Sequence, residues 1–250
     1  MKCLITGGSS GIGKDMAKTL SLLGNEVILV SKDENKLISA CEEIKNSHYY
    51  VCDLSYDVEV NKLCEYLLKE KPDIVINDAG FGAFGDYSEV SLEREMKMVK
   101  VNVISLHKIT KTCLKYMEGN KNAHILNVAS IAGLLPGGPL LGTYYATKSY
   151  VRSYTLGIYE VLRRKGSTIK ISCLCPGPVN TNFNNVAGGH FSINSKTSSF
   201  VSEYAIKYMF KNKLIILPGI DVKLGSFFGK ILPSKLVLKI LYEVEHKKRG

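Results

Sequence analysis

The sequence predicts a doubly wound α/β fold, one central parallel sheet of about seven strands with helices on both faces. Two observations carry this. Short β-rich runs alternate with segments of helical period from residue 2 to about residue 217, which is the grammar of βαβ units. The strand-like runs, among them Val27-Ile28-Leu29-Val30 and Ile74-Val75-Ile76, are apolar at successive rather than alternate positions, as strands covered on both faces must be. Right-handed crossovers between such strands place a ligand outside their carboxyl ends.

In chain order, residues 2–6 read as the first strand, 12–23 as a helix, 26–30 as a strand, 34–45 as a helix and 49–52 as a strand. The alternation continues with a helix over 58–69, a strand over 73–77, one or two helices over 92–117 and a strand over 123–128. Residues 144–165 form a long helix, 168–174 a strand, 201–210 a helix and 213–217 the last strand. No linker or composition break divides residues 1–250, and no repeat of solenoid period occurs, so one domain is expected.

At 250 residues, 45% hydrophobic and 22% charged, the chain can bury a sizeable core and is neither disordered, collagen-like nor a mini-protein. The apolar stretch ending at Leu217 is cut by Pro218, Gly219 and Asp221, and no segment reaches the roughly 18–20 apolar residues of a membrane span. The N-terminus shows no charged leader or long apolar region with a cleavage site. Seven cysteines, Cys3, Cys41, Cys52, Cys64, Cys113, Cys173 and Cys175, contain no C-x-x-C pair. They read as buried free thiols in a reducing cytoplasm, the expected location. The five histidines show no metal-ligand spacing, and Cys173-x-Cys175 lies on a strand where packing explains it better than zinc, so no metal is expected.

The net charge is +10, and residues 201–250 hold ten Lys and Arg against four Asp and Glu. No stacking aromatics interleave these charges and no groove-entering motif accompanies them, which argues against a nucleic-acid partner. An anionic cofactor, an acidic substrate or a membrane surface would use the same field.

After the first strand comes Thr6-Gly7-Gly8-Ser9-Ser10-Gly11-Ile12-Gly13. Glycines here let the turn be tight and let backbone N–H groups at a helix N-terminus approach a pyrophosphate, although a strand-to-helix turn alone also uses them. Val30-Ser31-Lys32-Asp33 ends the second strand, Asp53-Leu54 follows the third, and Asn77-Asp78-Ala79-Gly80 ends the fourth. Asn102 lies in Val101-Asn102-Val103, and Ser130 follows the fifth strand. Tyr144 and Lys148, in Tyr144-Tyr145-Ala146-Thr147-Lys148, are four residues apart and share a helix face. Cys175-Pro176-Gly177-Pro178-Val179-Asn180-Thr181 follows the sixth strand.

In this order, and at the strand ends and helix the fold requires, these motifs resemble the short-chain dehydrogenase/reductase (SDR) family, in its compact branch with T-G-x-x-x-G-x-G and Y-x-x-x-K. The resemblance covers residues 2 to about 217. It implies a Rossmann-type domain and an oxidoreductase that passes hydride between a nicotinamide cofactor and a ketone or secondary alcohol. Ser130, Tyr144, Lys148 and Asn102 would be the catalytic set. Tyr144 would exchange the proton, its phenolate favoured by Lys148 and the oxidised nicotinamide ring. Ser130 would hold the substrate oxygen, and Asn102 would support a water relay from Lys148. Tyr145 lacks a lysine four residues on and points about 100° around the helix.

The same resemblance implies that Gly7, Ser9, Ser10, Gly11, Ile12 and Gly13 hold the cofactor's phosphates and that Ser31 and Lys32 face the adenosine ribose. Asp53 and Leu54 would contact the adenine, although an N-cap role suits Asp53 equally. Asn77 would hold the sheet edge and the cofactor loop, with Ala79 and Gly80 along the ribose. Tyr144 and Lys148 would touch the nicotinamide end, with Pro176, Gly177, Val179 and Thr181 against its ring. Ser31 stands where NAD-dependent members carry an acid, and Lys32 where NADP-dependent members often carry a base. NADP(H) is therefore favoured, with NAD(H) possible, and Lys32 as a solvated residue beside a helix-capping Asp33 is the plain alternative. Asp78 departs from the family's second Asn.

Residues 182–199, with Phe183, His190 and Phe191, are expected to form a substrate lid. Residues 218–250 form a basic, apolar C-terminal extension: helices completing the core or a dimer interface, a solvated tail, or an amphipathic cap on an anionic membrane. A homodimer or homotetramer through the helices at 92–117 and 144–165 is the family's usual assembly. A non-catalytic NADP-binding sensor or membrane-surface scaffold is the alternative function, and it would show a broken Ser-Tyr-Lys set.

Overall fold

Seven strands of one sheet lie in the order β3-β2-β1-β4-β5-β6-β9, every neighbouring pair parallel. The computed structural model describes residues 1–181, 183, 187, 188 and 195–247. Its strands are β1 (Lys2–Thr6), β2 (Glu26–Ser31), β3 (Ser47–Val51), β4 (Ile74–Asn77), β5 (His124–Val128), β6 (Lys170–Leu174) and β9 (Ile215–Ile216). Two short strands, β7 (Val179–Asn180) and β8 (Lys196–Thr197), pair with each other beyond the carboxyl end of β6. The helices among the described residues are α1 (Gly11–Leu22), α2 (Glu34–Glu43), α3 (Asp57–Glu70), α4 (Leu92–Val99), α5 (Leu106–Tyr116), α6 (Gly142–Arg164), α7 (Ser198–Phe210), α8 (Ile220–Ile231) and α9 (Ser234–His246).

The successive apolar positions of each strand divide between two cores. Cys3 and Ile5 of β1, with Val27 and Leu29 of β2, meet Met16 and Leu20 of α1 and Val201, Ala205 and Met209 of α7. On the other face, Leu4, Ile28 and Val75 meet Leu63 and Leu67 of α3 and Ile109 and Cys113 of α5. Both faces are dry, which is why the strands cannot alternate polar with apolar residues.

Element ends follow local chemistry. Asp33 starts α2 by accepting the Lys36 N–H at 3.1 Å, and Thr197 starts α7 by accepting the Phe200 N–H at 3.2 Å. The 92–117 stretch is a single rod, because α4 passes into α5 through a π-turn over Lys100–Ser105. The last strand is shorter than expected: only Ile215 and Ile216 pair with β6, since an edge strand has one neighbour and Pro218 follows. Of the expected lid, Lys196–Thr197 is strand and Ser198–Ser199 opens α7. Residues 182, 184–186 and 189–194, with His190 and Phe191, lie outside the described residues.

Candidate active site

The carboxyl edge of the sheet gathers the loops that follow β1, β2, β3, β4, β5 and β6. In the first, Gly7 and Gly11 adopt left-handed φ of +75° and +55°, accessible to glycine without strain. A Cβ on Gly13 would stand 2.6 Å from the Gly7 carbonyl oxygen and 2.7 Å from Asp78 Oδ2, so the turn closes only with glycine there. Ser10 is the N-cap of α1 and makes no side-chain cap bond, while Ser9 Oγ donates to Ser31 Oγ at 2.9 Å and ties the turn to the end of β2. Ile12 packs against the core. Thr181 leans over the turn, its Cγ2 3.3 Å from where a Gly11 Cβ would lie. A helix N-terminus of small residues, bare of side chains that would fill it, fits a pyrophosphate.

Beside it, Lys32 is exposed, and the two nearby carboxylates are engaged elsewhere. Asp33 caps α2 and pairs with Lys36 Nζ at 3.3 Å. Asp53 accepts the Ser55 N–H and hydroxyl at 2.9 and 2.7 Å. It therefore forms a turn ahead of α3, whose N-cap is Tyr56, and is not that helix's cap. Leu54 is a core side chain, 7% exposed, and offers a ligand its backbone.

β4 is the middle strand of the seven, so Asn77 holds the centre of the sheet and not its edge. Its Nδ2 donates to Asn127 Oδ1 of β5 at 2.8 Å and to Thr110 Oγ1 of α5 at 3.2 Å, and Asn127 Nδ2 donates to Thr155 Oγ1 of α6 at 3.0 Å. This buried polar chain locks β4 and β5 to α5 and α6. Asp78 accepts the Gly13 N–H, and burial pushes its carboxyl up to about 7 against the opposing pull of Lys148. The Thr6 hydroxyl accepts the Ala79 N–H at 3.2 Å.

Around Gly80 the expected catalytic residues meet. A Cβ there would lie 3.1 Å from Asn102 Oδ1 and 3.2 Å from Lys148 Nζ. Asn102 stands in the π-turn of the 92–116 rod, a common device at functional sites. Its Oδ1 accepts the Phe81 N–H at 3.1 Å, and its Nδ2 donates to the Phe81 carbonyl at 2.9 Å and to Thr147 Oγ1 at 3.1 Å. Lys148 Nζ donates to the Val128 carbonyl at 2.9 Å and lies 5.8 Å from the Tyr144 ring centroid. Burial lowers its pKa. Ser130 Oγ accepts the Ala132 N–H at 3.2 Å, capping the short 3-10 turn Ile131–Leu134, and its hydroxyl bonds the Tyr144 oxygen.

Tyr144 is buried beside these groups. Burial pushes its hydroxyl up to about 12, the Ser130 bond opposes this, and Asp78 adds to it. With its pKa at about 12 the phenol holds its proton at neutral pH. Tyr145 turns away as expected. It is 8% exposed, packs flat on Gly138 and hydrogen-bonds Glu245 of α9.

The segments after β4 and β6 meet at Tyr144. Phe183 lies 5.4 Å from the Tyr144 ring and 3.0 Å from where a Gly82 Cβ would stand, and the Phe84 N–H donates to the Ala187 carbonyl at 2.8 Å. Phe183, from the segment expected to form a lid, thus sits against Tyr144. Val179 and Asn180 pair with Lys196 and Thr197 at the base of this segment. The Pro176 carbonyl accepts the Ile131 N–H at 2.8 Å, and Gly177 packs against Val222 of α8.

A doubly wound sheet with a glycine turn at one strand end and a Ser-Tyr-Lys-Asn cluster two strands away defines a dinucleotide-linked oxidoreductase. The model of the short chain dehydrogenase family matches residues 2–189, and the chain belongs to that family. It is 31% identical over 185 residues to the (S)-acetoin-forming diacetyl reductase of Staphylococcus epidermidis, covering 71% of each chain. It is 30% identical over 174 residues to the very-long-chain 3-oxoacyl-CoA reductase of Rattus norvegicus, covering 65% of this chain and 55% of the rat protein. A short-chain dehydrogenase from Sphingobium yanoikuyae in complex with NADPH shares the fold, with a TM-score of 0.83 at 20% identity over 92% of both chains.

Proposed function

We propose that this enzyme is an NADP(H)-dependent carbonyl reductase that works on ketones and the corresponding secondary alcohols. The observation that carries the reading is that Asn102 and Lys148 meet at Gly80, with Lys148 Nζ 5.8 Å from the Tyr144 ring centroid and Ser130 beside the Tyr144 oxygen, all intact, which a non-catalytic sensor or scaffold would not need. A bound nicotinamide dinucleotide supplies or accepts the hydride.

The chain's own residues do the rest. Ser130 hydrogen-bonds the carbonyl oxygen and stabilises the charge that grows on it. Tyr144, holding its proton with a pKa near 12, gives that proton to the same oxygen. Lys148 lends positive charge to the phenol as it ionises and binds the nicotinamide ribose. Asn102, fixed by Phe81 and Thr147, keeps open the route by which water returns a proton. The turn at residues 7–13 takes the pyrophosphate, and Val179 and Thr181 orient the nicotinamide.

NADP(H) is preferred because the ribose end offers Ser31 and the exposed Lys32, while Asp33 and Asp53 are already engaged. The diacetyl and 3-oxoacyl-CoA reductases named above both carry carbonyl compounds in their names, which supports the substrate class. The assembly belongs to the same proposal: a dimer or tetramer through the 92–116 rod and α6, which present Ile104 and Tyr150 at the surface. The seven free cysteines, five of them buried, suit a reducing cytoplasm.

Oxidation of NADPH and of NADH over a panel of diketones, 3-oxoacyl thioesters and oxo-steroids tests the reading, with wild type beside Tyr144→Phe. Tyr144-dependent turnover with NADPH preferred is the expected result. Full activity of Tyr144→Phe would overturn the catalytic assignment.

A further inference from the structure

The helix α8 is built inside out for a helix that merely completes a core. Its inner face carries small residues: Ser226 and Val222 are buried, a Cβ on Gly225 would stand 3.2 Å from Ile131 Cδ1, and one on Gly229 would run into Leu135 Cδ2. Its large apolar residues face outward. Ile220, Leu224, Phe227, Phe228 and Ile231 are 72, 52, 57, 51 and 61% exposed, and at 100° per residue they fall within an arc of about 100°. Lys223 lies beside that arc. The next helix repeats the arrangement, with Leu236, Ile240 and Val244 exposed in one row and Lys235 and Lys239 exposed alongside. On each helix a row of large apolar side chains fringed by positive charge marks an interaction site and not ordinary surface.

We propose that α8 and α9 form a docking surface for an anionic lipid bilayer. Charge chooses the occupant. On these two helices the exposed cations Lys223, Lys235, Lys239 and Lys247 face few competing anions. Asp221 is paired with Lys196 at 2.5 Å, Glu245 is 1% exposed, and Glu243 is the exposed carboxylate that remains. A second copy of this face would set lysines against lysines, whereas phosphate headgroups would neutralise them while the Phe, Leu and Ile side chains enter the acyl boundary. No helix of the described residues is long and apolar enough to cross a membrane, so this is contact with the surface. The anchorage of α8 on Ile131 and Leu135, directly after Ser130, puts the docked face beside the catalytic end of the sheet. On the reductase reading, this would admit lipid-borne carbonyl compounds.

Flotation of the full chain with phosphatidylcholine vesicles and with equimolar phosphatidylcholine and phosphatidylglycerol vesicles tests the surface without substrate or cofactor. The wild type is expected to float with the anionic vesicles and to be released by high salt. Its apparent affinity should fall at least about tenfold in Lys223→Glu/Lys235→Glu/Lys239→Glu and in Phe227→Ser/Phe228→Ser. Every substituted side chain is exposed, and circular dichroism melting checks that both variants stay folded. Equal binding to both vesicle types, no binding to either, or unchanged flotation of the variants overturns the proposal. So does a wild-type oligomer that falls to a smaller mass in Phe227→Ser/Phe228→Ser without any vesicle binding, because the face would then be a subunit interface. Failure of the reductase assay would leave these outcomes unaltered.

Discussion

The carboxyl of Asp78 accepts the backbone N–H of Gly13 in the first turn of α1 while facing Lys148 on α6. One residue thus meets the glycine turn and feels the charge of Lys148. Ser10, the N-cap, leaves the helix without a side-chain cap bond, and Asp78 supplies one across the fold.

That position has a pH consequence. Folding raises the Asp78 pKa from the ordinary carboxylate range to about 7, so between about pH 4 and about pH 7 the folded chain holds a proton that the unfolded chain releases. The stability this contributes is complete below the unfolded pKa and lost as pH rises through 7. Asp78→Asn removes the effect. Its melting temperature relative to wild type should climb from about pH 4 to about pH 7 and level off above. Parallel melting profiles of the two proteins across this range would contradict the assignment.

Much of this was readable before any coordinates. The turn from Gly7 to Gly13, Ser130 and the Tyr144–Lys148 pair are local patterns at strand ends or on one helix, and spacing alone locates them. The Asp78 cap, the Phe183 contact with Tyr144 and the Glu245 bond to Leu140 join residues 65, 39 and 105 positions apart in sequence, and no periodicity encodes such pairs. The rise of the Tyr144 pKa is of the same kind, because the burial and the Asp78 charge that cause it come from tertiary packing.

Removing the Tyr144 hydroxyl separates chemistry from structure. Tyr144→Phe should lower kcat for ketone reduction by about 10²- to 10⁴-fold, while NADPH affinity, read by fluorescence titration, changes by no more than about twofold. Loss of binding in step with loss of turnover would instead assign Tyr144 to holding the cofactor.

Cofactor choice should be reversible at two positions. Lys32 is exposed, so its contribution to a bound 2'-phosphate is that of a solvated ion pair, and Lys32→Ala should raise the KM for NADPH about fivefold and leave that for NADH unchanged. Ser31→Asp adds repulsion toward the phosphate and a partner for a free ribose hydroxyl, and should turn the preference to NADH. Kinetics with both cofactors would check the pair, and equal effects on the two would deny Lys32 its role.

Glu245 is the latch of the C-terminal helix. It is 1% exposed, its Oε2 accepts the Leu140 N–H at 2.9 Å, and Tyr145 donates to it, an interaction that raises the tyrosine pKa further once burial has done so. Glu245 thereby joins α9 to the loop entering α6. Glu245→Ala strands the Leu140 N–H and the Tyr145 hydroxyl together, a loss of about 2–4 kcal/mol, whereas Tyr145→Phe removes one bond of the two and should cost about 1–2 kcal/mol. Thermal melting ranks the variants, and amide exchange at Leu140, slow in wild type, should accelerate in Glu245→Ala and stay slow in Tyr145→Phe. Equal exchange in all three proteins would show that the loop is held by packing and not by this carboxylate.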